Sequence, residues 1–92
     1  MNTNISVREI LHQTALKAPS SSGVYLWKNP QEKVIYVGKA KNLKNRLSSY
    51  FSGKKDIKTR LLISHATSIE YITTSNEYEA FLLENNLIKK YT

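Results

Sequence analysis

The sequence predicts a small α/β domain of the α+β kind, in which helices flank a three-stranded, largely antiparallel sheet. Two β-rich runs, at residues 24–28 and 33–38, are separated by a short turn, and a third run follows at 69–73. Around them, apolar residues recur at the spacing of an α-helix. A chain of 92 residues suits one compact unit with a modest core, so we expect residues 1–92 to form a single domain.

The composition indicates a polyanionic partner. The formal net charge is +7, which favours a nucleic acid first and an anionic membrane second; a basic surface without a partner is the alternative. Residues 39–60 hold eight cations against Asp56 alone. The chain has no cysteine, which excludes disulfides and thiolate metal sites. The polar start, Met1–Asn4, precedes no apolar segment, so we expect no signal peptide, no membrane span and a cytoplasmic location.

The first predicted element is a helix over residues 7–17. Ser6 and Glu9 have the capping-box spacing that opens a helix. The apolar residues that recur at helical intervals and should pack on the domain are Val7, Ile10 and Leu11.

A hairpin follows. Residues 29–32 predict a four-residue loop, because Asn and Pro suit the first two positions of a turn. If Lys28 then faces Lys33, Tyr25 lies directly opposite Tyr36. One face of this hairpin carries Tyr25, Trp27, Val34 and Tyr36, and the aliphatic face, expected to form the main core, carries Val24, Leu26, Ile35 and Val37.

The remaining elements are three helices and a strand. Apolar spacing predicts helices over residues 42–51 and 56–66, and the β-rich run at 69–73 predicts the third strand. The packing face of the second of these helices is expected to carry Ile57, Leu61 and Ser64. A capping box of Thr74 and Glu77 opens the last helix, whose charges complement the helix dipole at both ends.

Glu84 is the first candidate for chemistry, because it lies inside the apolar arc of the last helix. That arc consists of Ala80, Leu83, Leu87, Ile88 and Tyr91. A carboxylate there needs a cation, hydrogen bonds or a proton to offset its burial. The position therefore indicates a divalent-metal ligand or a general base. The alternative is a carboxylate at the rim of the arc that reaches water or pairs with an arginine.

Tyrosines and cations supply the other candidates. Opposed residues in a hairpin have Cβ atoms about 5 Å apart, so the hydroxyls of Tyr25 and Tyr36 can converge, and Tyr50 can lean toward them; simple packing is the alternative. Arg46 lies at the edge of its helix's apolar stripe and can bind a phosphate bidentately. The candidates for nucleic-acid binding are Lys39, Lys41, Lys44 and Arg46, with ordinary solvated cations as the alternative.

This combination suits phosphodiester hydrolysis, in which a metal and cations offset developing charge and a hydroxyl relays protons. Two other classes of function stay open. A non-catalytic nucleic-acid-binding module would use the same cations and exposed aromatics. A protein-interaction domain would use the aromatic face and would show little salt dependence of DNA binding.

The chain also resembles a known family. Gly23-Val24-Tyr25 and Tyr36-Val37-Gly38 match the paired GIY and YIG motifs, with valine in place of isoleucine in each. Further stretches that are similar to the N-terminal nuclease domain of the bacterial excision-repair proteins of the UvrC type lie at residues 39–43, 45–46, 49–51 and 79–91. The resemblance covers roughly residues 15–92.

The resemblance implies hydrolysis of one DNA phosphodiester with a single divalent ion, Mg²⁺ or Mn²⁺, held by Glu84. It implies that Tyr36 acts as general base and that Tyr25 orients the site. Lys39 and Arg46 would bind the scissile phosphate, and Tyr50 would line the site. In such proteins this domain makes the incision on the 3′ side of a lesion in damaged double-stranded DNA, after UvrB receives the DNA.

Two departures from the family pattern bear on these expectations. Ser22 stands where a proline usually precedes the first motif. In the family, a proline-containing segment with a site asparagine follows the last helix, whereas this sequence stops at Thr92. We therefore expect an N-terminal fragment of a longer protein, monomeric and weakly active or inactive alone. A free-standing nuclease of the same family is the nearest alternative.

Overall fold

The predicted fold class is confirmed by the computed structural model, which describes residues 5–91. The polar start at residues 1–4 and the terminal Thr92 lie outside the described residues. The elements in chain order are α1 (Val7–Lys17), β1 (Gly23–Lys28), β2 (Val34–Ala40), α2 (Leu43–Ser49), α3 (Ile57–His65), β3 (Ser68–Thr73) and α4 (Glu77–Tyr91). The sheet has the order β2-β1-β3 with both pairings antiparallel. No helix among these elements is long and apolar enough to cross a membrane.

The predicted hairpin register is wrong by two residues. Tyr25 lies opposite Gly38 rather than Tyr36, and Tyr36 lies opposite Trp27. The turn accounts for one residue: Glu32 adopts a left-handed conformation (φ 63°), which shortens the loop and pairs the backbone of Asn29 with Lys33.

A β-bulge accounts for the second residue of the shift. Between the pairs Lys28–Val34 and Trp27–Tyr36, Ile35 has no partner of its own. The turn and the bulge each shift the pairing of the strands by one residue. A total shift of two leaves each side chain beyond the bulge on its predicted face, so Tyr25 and Tyr36 share a face as predicted. Only Val34 and Ile35 exchange sides, and Ile35 is exposed instead of belonging to the core.

The main core lies on the aromatic face of the sheet, not on the aliphatic face as predicted. The side chains of Tyr25 and Trp27 are fully buried beneath α1 and α2. The buried cluster that surrounds them contains Leu11, Ala15, Ala18, Leu43, Leu47, Tyr50, Phe51, Ala66 and Ile69. Val24, Leu26 and Ala80 are buried outside this cluster, and α4 packs against β1 and β2. Aromatic rings cover more apolar area than valine or leucine, which favours their face for the larger contact.

Several helix faces differ from the predicted ones. In α1, Leu11 and Ala15 are buried, whereas Val7 and Ile10 are about half exposed. In α3, the predicted face that includes Ile57 is exposed, and the partly buried residues packed on the core are Leu62 and Ile63. Spacing alone identifies a helix, but it does not decide which of two apolar stripes the rest of the chain covers.

The cap of α1 agrees with prediction only in part, and the cap of α4 differs from it. The hydroxyl of Ser6 accepts a hydrogen bond from the backbone N–H of Glu9 at 3.1 Å, as a capping residue does. Among residues 5–91 the reciprocal bond of the capping box is absent, since the Glu9 carboxylate accepts from the Gln13 amide at 3.3 Å instead. At α4 the predicted pair of Thr74 and Glu77 is wrong. Asn76 accepts from the N–H of Glu79 at 2.8 Å, and the Glu79 carboxylate accepts from the N–H of Ser75 at 2.9 Å.

Candidate nuclease site

Three side chains, Tyr25, Arg46 and Tyr50, form a hydrogen-bonded cluster at the edge of the aromatic face. The hydroxyls of Tyr25 and Tyr50 are 2.8 Å apart. Arg46 donates from Nε to the Tyr25 hydroxyl at 3.3 Å and from Nη2 to the Tyr50 hydroxyl at 3.5 Å, and its guanidinium lies 4.8 Å from the centre of the Tyr50 ring. Two hydroxyls and the Tyr50 ring therefore fix an arginine that is otherwise exposed.

The local sequence of α2 explains this geometry. Asn42 caps the helix by accepting from the N–H of Asn45 at 3.0 Å, and Leu43 and Leu47 anchor it in the core. Residues four apart lie on one side of a helix, so Arg46 and Tyr50 emerge together beside that anchor. The predicted approach of Tyr50 to Tyr25 is thereby observed.

Tyr36 lies next to this cluster without belonging to its hydrogen bonds. Its ring centre is 6.3 Å from that of Tyr25, and the ring is half-buried. Tyr36, Arg46 and Tyr50 line one cleft with residues of the α3 segment, which we call the α2–α3 cleft. Its lining consists of Ile35, Tyr36, Arg46, Tyr50, Asp56, Lys58, Thr59 and Leu62.

Gly38 is required by the packing of Tyr25. It lies inside β2 rather than at its end, and a Cβ atom there would lie 2.8 Å from Cε2 of the Tyr25 ring, with Cζ and the hydroxyl oxygen nearer still. The absence of a side chain at Gly38 thus lets the Tyr25 ring cross the neighbouring strand and reach Tyr50.

We expect Gly38→Ala to lower the free energy of unfolding by about 1–3 kcal/mol, as overpacking of a core does. The Tyr25 ring cannot yield freely, because Tyr50 and Arg46 hold its hydroxyl. Urea denaturation of parent and variant measures the difference. A variant within about 0.5 kcal/mol of the parent, the range of neutral surface changes, would contradict this account of Gly38.

Burial, followed by the hydrogen bond with Tyr25, raises the pKa of Tyr50 well above its usual range. The folded protein therefore keeps the Tyr50 proton at a pH where the unfolded chain, whose tyrosines titrate near pH 10, has released it. A raised folded-state pKa contributes stability below the unfolded pKa that is lost as the pH rises beyond it.

The free energy of unfolding should consequently fall above about pH 10, by up to ~1.4 kcal/mol per pH unit from this one group. Tyr50→Phe has no proton to lose, so its stability should decline less steeply over the same range. Denaturant titrations of both proteins between neutral and alkaline pH provide the test. Parallel curves would show that Tyr50 does not govern the alkaline loss.

A second cleft, the α2–α4 cleft, lies on the other side of Arg46 and is lined by three of the four predicted cations. Lys39 and Lys41 reach it from the strand and the turn after β2, and Arg46 reaches it from α2. Its lining consists of Lys39, Ala40, Lys41, Asn42, Asn45, Arg46, Glu77, Tyr78, Ala80 and Phe81. Lys44 is exposed on α2 and lines neither cleft. Arg46 thus joins the two clefts.

Glu84 is half-buried on α4, four residues after the buried Ala80 that lines the α2–α4 cleft. Residues at this spacing lie one turn apart on the same side of a helix. Among residues 5–91, no hydrogen bond or ion pair involves its carboxylate, and no cluster of three or more His, Asp or Glu side chains surrounds it. Glu84 is half-buried on the apolar arc of α4 as predicted, but Ile88 and Tyr91 of the same arc are exposed and Glu84 lines neither cleft. The carboxylate has capacity for a ligand.

Tyr78 and Phe81 were not candidates in the sequence, yet both line the α2–α4 cleft. They lie three residues apart on α4 and outside the apolar arc that carries Glu84. Their exposed fractions, 70% and 45%, are large for aromatic side chains. The sequence did contain a signal for this pair, because two aromatic residues at helical spacing on the polar side of an amphipathic helix indicate an exposed binding surface.

The comparisons with known proteins agree with this architecture. The family model for the UvrC-like GIY-YIG domain matches residues 21–92. UvrABC system protein C of Treponema denticola is 69% identical over 87 residues, covering 95% of this chain and 13% of that protein. The corresponding protein of Treponema pallidum is 58% identical over 92 residues, covering 100% of this chain and 13% of its own length.

A solved structure also matches. The N-terminal GIY-YIG endonuclease domain of UvrC from Thermotoga maritima, described as bound to its catalytic divalent cation, magnesium, superposes with a TM-score of 0.83 at 46% identity. The match covers 90% of this chain and 91% of that one. The resemblance inferred from the motifs is therefore confirmed, and this chain belongs to the family of UvrC-like GIY-YIG domains.

Proposed function

We propose that the chain is a metal-dependent endonuclease domain that hydrolyses one phosphodiester bond of DNA. The observation that carries the proposal is Arg46, which the hydroxyls of Tyr25 and Tyr50 hold between two clefts. An oriented guanidinium can bind a phosphate through two N–H groups, and Lys39 adds a second cation beside it.

The residues present fit a divalent cation. Glu84 offers a carboxylate without a hydrogen-bond or ion-pair partner among residues 5–91, and hard cations such as Mg²⁺ prefer oxygen ligands and keep several waters. In the Thermotoga maritima domain the cation is magnesium, and variants with one tyrosine replaced by phenylalanine are also described with the divalent cation bound. When bound, such an ion supplies Lewis-acid stabilisation of the phosphate charge.

Side chains of the protein would supply the general base, the stabilisation of charge and the positioning of Arg46. Tyr36, half-buried beside Arg46, relays a proton: its phenol oxygen takes one proton from the attacking water as its own hydroxyl proton passes to solvent, while the water oxygen bonds to phosphorus. The bond from phosphorus to the leaving sugar oxygen breaks as that bond forms, and the leaving oxygen takes a proton from solvent water. Arg46 and Lys39 offset the negative charge that develops on the phosphate oxygens. Tyr25 and Tyr50 hold Arg46 in place, which is a positioning role.

The relatives suggest the biological setting. The chain spans 13% of the length of UvrABC system protein C from either Treponema species, so the activity of the whole protein is an extrapolation from its domain. We propose that this domain makes the 3′-side incision of nucleotide excision repair in the bacterial cytoplasm, on damaged duplex DNA delivered by UvrB. The net charge of +7 supports a DNA substrate.

Nicking of a supercoiled plasmid tests the chemistry. The chain should convert supercoiled to open-circular DNA with Mg²⁺ or Mn²⁺, slowly as expected of a weakly active isolated domain, and lose this activity with EDTA. For the repair role, a chimera in which this chain replaces the matching 87 residues of the Treponema denticola protein should incise a lesion-containing duplex with UvrA and UvrB. Salt-dependent DNA binding without cutting in both assays would favour the non-catalytic binding module instead. Plasmid cutting without activity in the chimera would favour a nuclease outside excision repair.

A further inference from the structure

The α2–α4 cleft combines two kinds of wall. One wall carries cations, Lys39, Lys41 and Arg46, and the other carries the exposed rings of Tyr78 and Phe81. The space between them, about 660 Å³, lies within the ~300–1,000 Å³ typical of small-ligand sites. Cations along one side and π-faces along the other are the arrangement with which proteins bind single-stranded nucleic acid.

We propose that the α2–α4 cleft binds one unstacked nucleotide next to the scissile phosphate, with its base against Phe81 and Tyr78 and its phosphate near Lys41. The inference rests on the proposed nuclease function, since Arg46 and Lys39 then hold the adjacent phosphate. Nothing in the proposed hydrolysis requires either aromatic residue, so the base subsite is an additional binding function.

An unstacked base fits this cleft better than a base inside a duplex. Within a duplex both faces of each base are covered by neighbours, so an aromatic side chain can stack only on a base that has left the helix. Phe81 and Tyr78 lie three residues apart on α4 and can present their rings on one side of the cleft. The site would therefore favour distorted or unpaired DNA over regular duplex.

One carboxylate also faces this cleft. Glu77 lies 4.0 Å from the Lys41 ammonium, and both side chains are mostly exposed. Exposed pairs of this kind are weak and screened by salt, so a DNA phosphate can displace Glu77 from Lys41. The cleft then keeps its three cations, of which only Arg46 is engaged with protein hydroxyls.

Binding measured without metal separates this subsite from the cutting reaction. With EDTA present, Phe81→Ala and Tyr78→Ala should each weaken binding of a single-stranded deoxyoligonucleotide by roughly 5- to 100-fold, the range for loss of one base-stacking contact. Affinity for a blunt regular duplex should change less than twofold. The slope of affinity against salt should stay constant, because no phosphate contact is lost. Both side chains are exposed, so the fold should survive, and circular dichroism checks this.

Matched variants identify stacking as the cause. Leu82→Ala removes a comparably exposed apolar side chain from the same helix, outside the residues that line the cleft, and should leave affinity within twofold. Phe81→Trp should retain affinity, whereas Phe81→Leu, apolar but not aromatic, should lose it. An oligonucleotide with one 5-iododeoxyuridine should photo-crosslink to the α4 peptide.

Two results would overturn the inference: parent-like single-strand affinity in both alanine variants, or crosslinks that map away from α4. The proposed function is tested separately. If the alanine variants lose single-strand affinity while the parent shows no metal-dependent cutting either alone or in the chimera, the base subsite stands and the nuclease assignment fails. If the parent cuts and the alanine variants bind normally, the nuclease assignment stands and the subsite fails.

Discussion

Glu84→Gln should abolish metal-dependent cutting while leaving the fold intact. Glutamine keeps the size of the side chain but removes the charge that a divalent cation requires from its only proposed protein ligand. A metal contributes several kcal/mol of transition-state stabilisation, and each ~1.4 kcal/mol corresponds to tenfold in rate. Single-turnover nicking should therefore slow by roughly a thousandfold or more.

Metal binding gives a readout that is independent of activity. Mn²⁺ should raise the melting temperature of the parent, because a ligand that binds only the folded state stabilises it, and should leave that of Glu84→Gln unchanged. Without metal the variant should be as stable as the parent, since within residues 5–91 Glu84 makes no hydrogen bond or ion pair that could be lost. Glu9→Gln on α1 is the matched control: the exposed Glu9 carboxylate accepts from the Gln13 amide, a glutamine oxygen can still accept there, and the rise in melting temperature with Mn²⁺ should equal that of the parent. Cation binding retained by the Glu84 variant would remove Glu84 as the ligand.

Arg46→Ala should retain DNA binding and lose cutting by roughly a hundredfold or more, as removal of one preorganised charge-stabilising group does. Arg46 is one of 14 cations, so its contribution to non-specific affinity is small. Its contribution to the reaction is larger, because Tyr25 and Tyr50 orient its guanidinium. Gel-shift titration beside single-turnover incision in the chimera separates the two effects.

Two further variants define what Arg46 does. Arg46→Lys keeps the charge but not the planar pair of N–H groups, so most of the loss should persist. Lys33→Ala, an exposed cation at the far end of the hairpin, is the control and should cut within a few-fold of the parent. Lys54 is unsuitable as a control, because it lines a cleft with Arg46. Equal falls in binding and cutting would make Arg46 a docking residue rather than a transition-state group.

Local signals in the sequence predicted most of the fold. The Ser6 cap opens α1 as expected, and Asn29 forms the hairpin turn with its side chain accepting from the N–H groups of Gln31 and Lys33. These interactions join residues at most four apart in the chain, so their pattern is visible without the tertiary structure. The motifs with Tyr25 and Tyr36 likewise predicted the family, which the comparisons confirm.

The sequence by itself determined the elements and which tyrosines share a face, because strand alternation survives a two-residue shift of register. Only the tertiary structure decided the shift itself, which arises from the left-handed Glu32 and the bulge at Ile35. It also decided the contact of Tyr25 with Tyr50, which joins residues 25 positions apart through the space left by Gly38. Such contacts depend on how whole faces pack together, and the spacing of residues along one element does not contain that information.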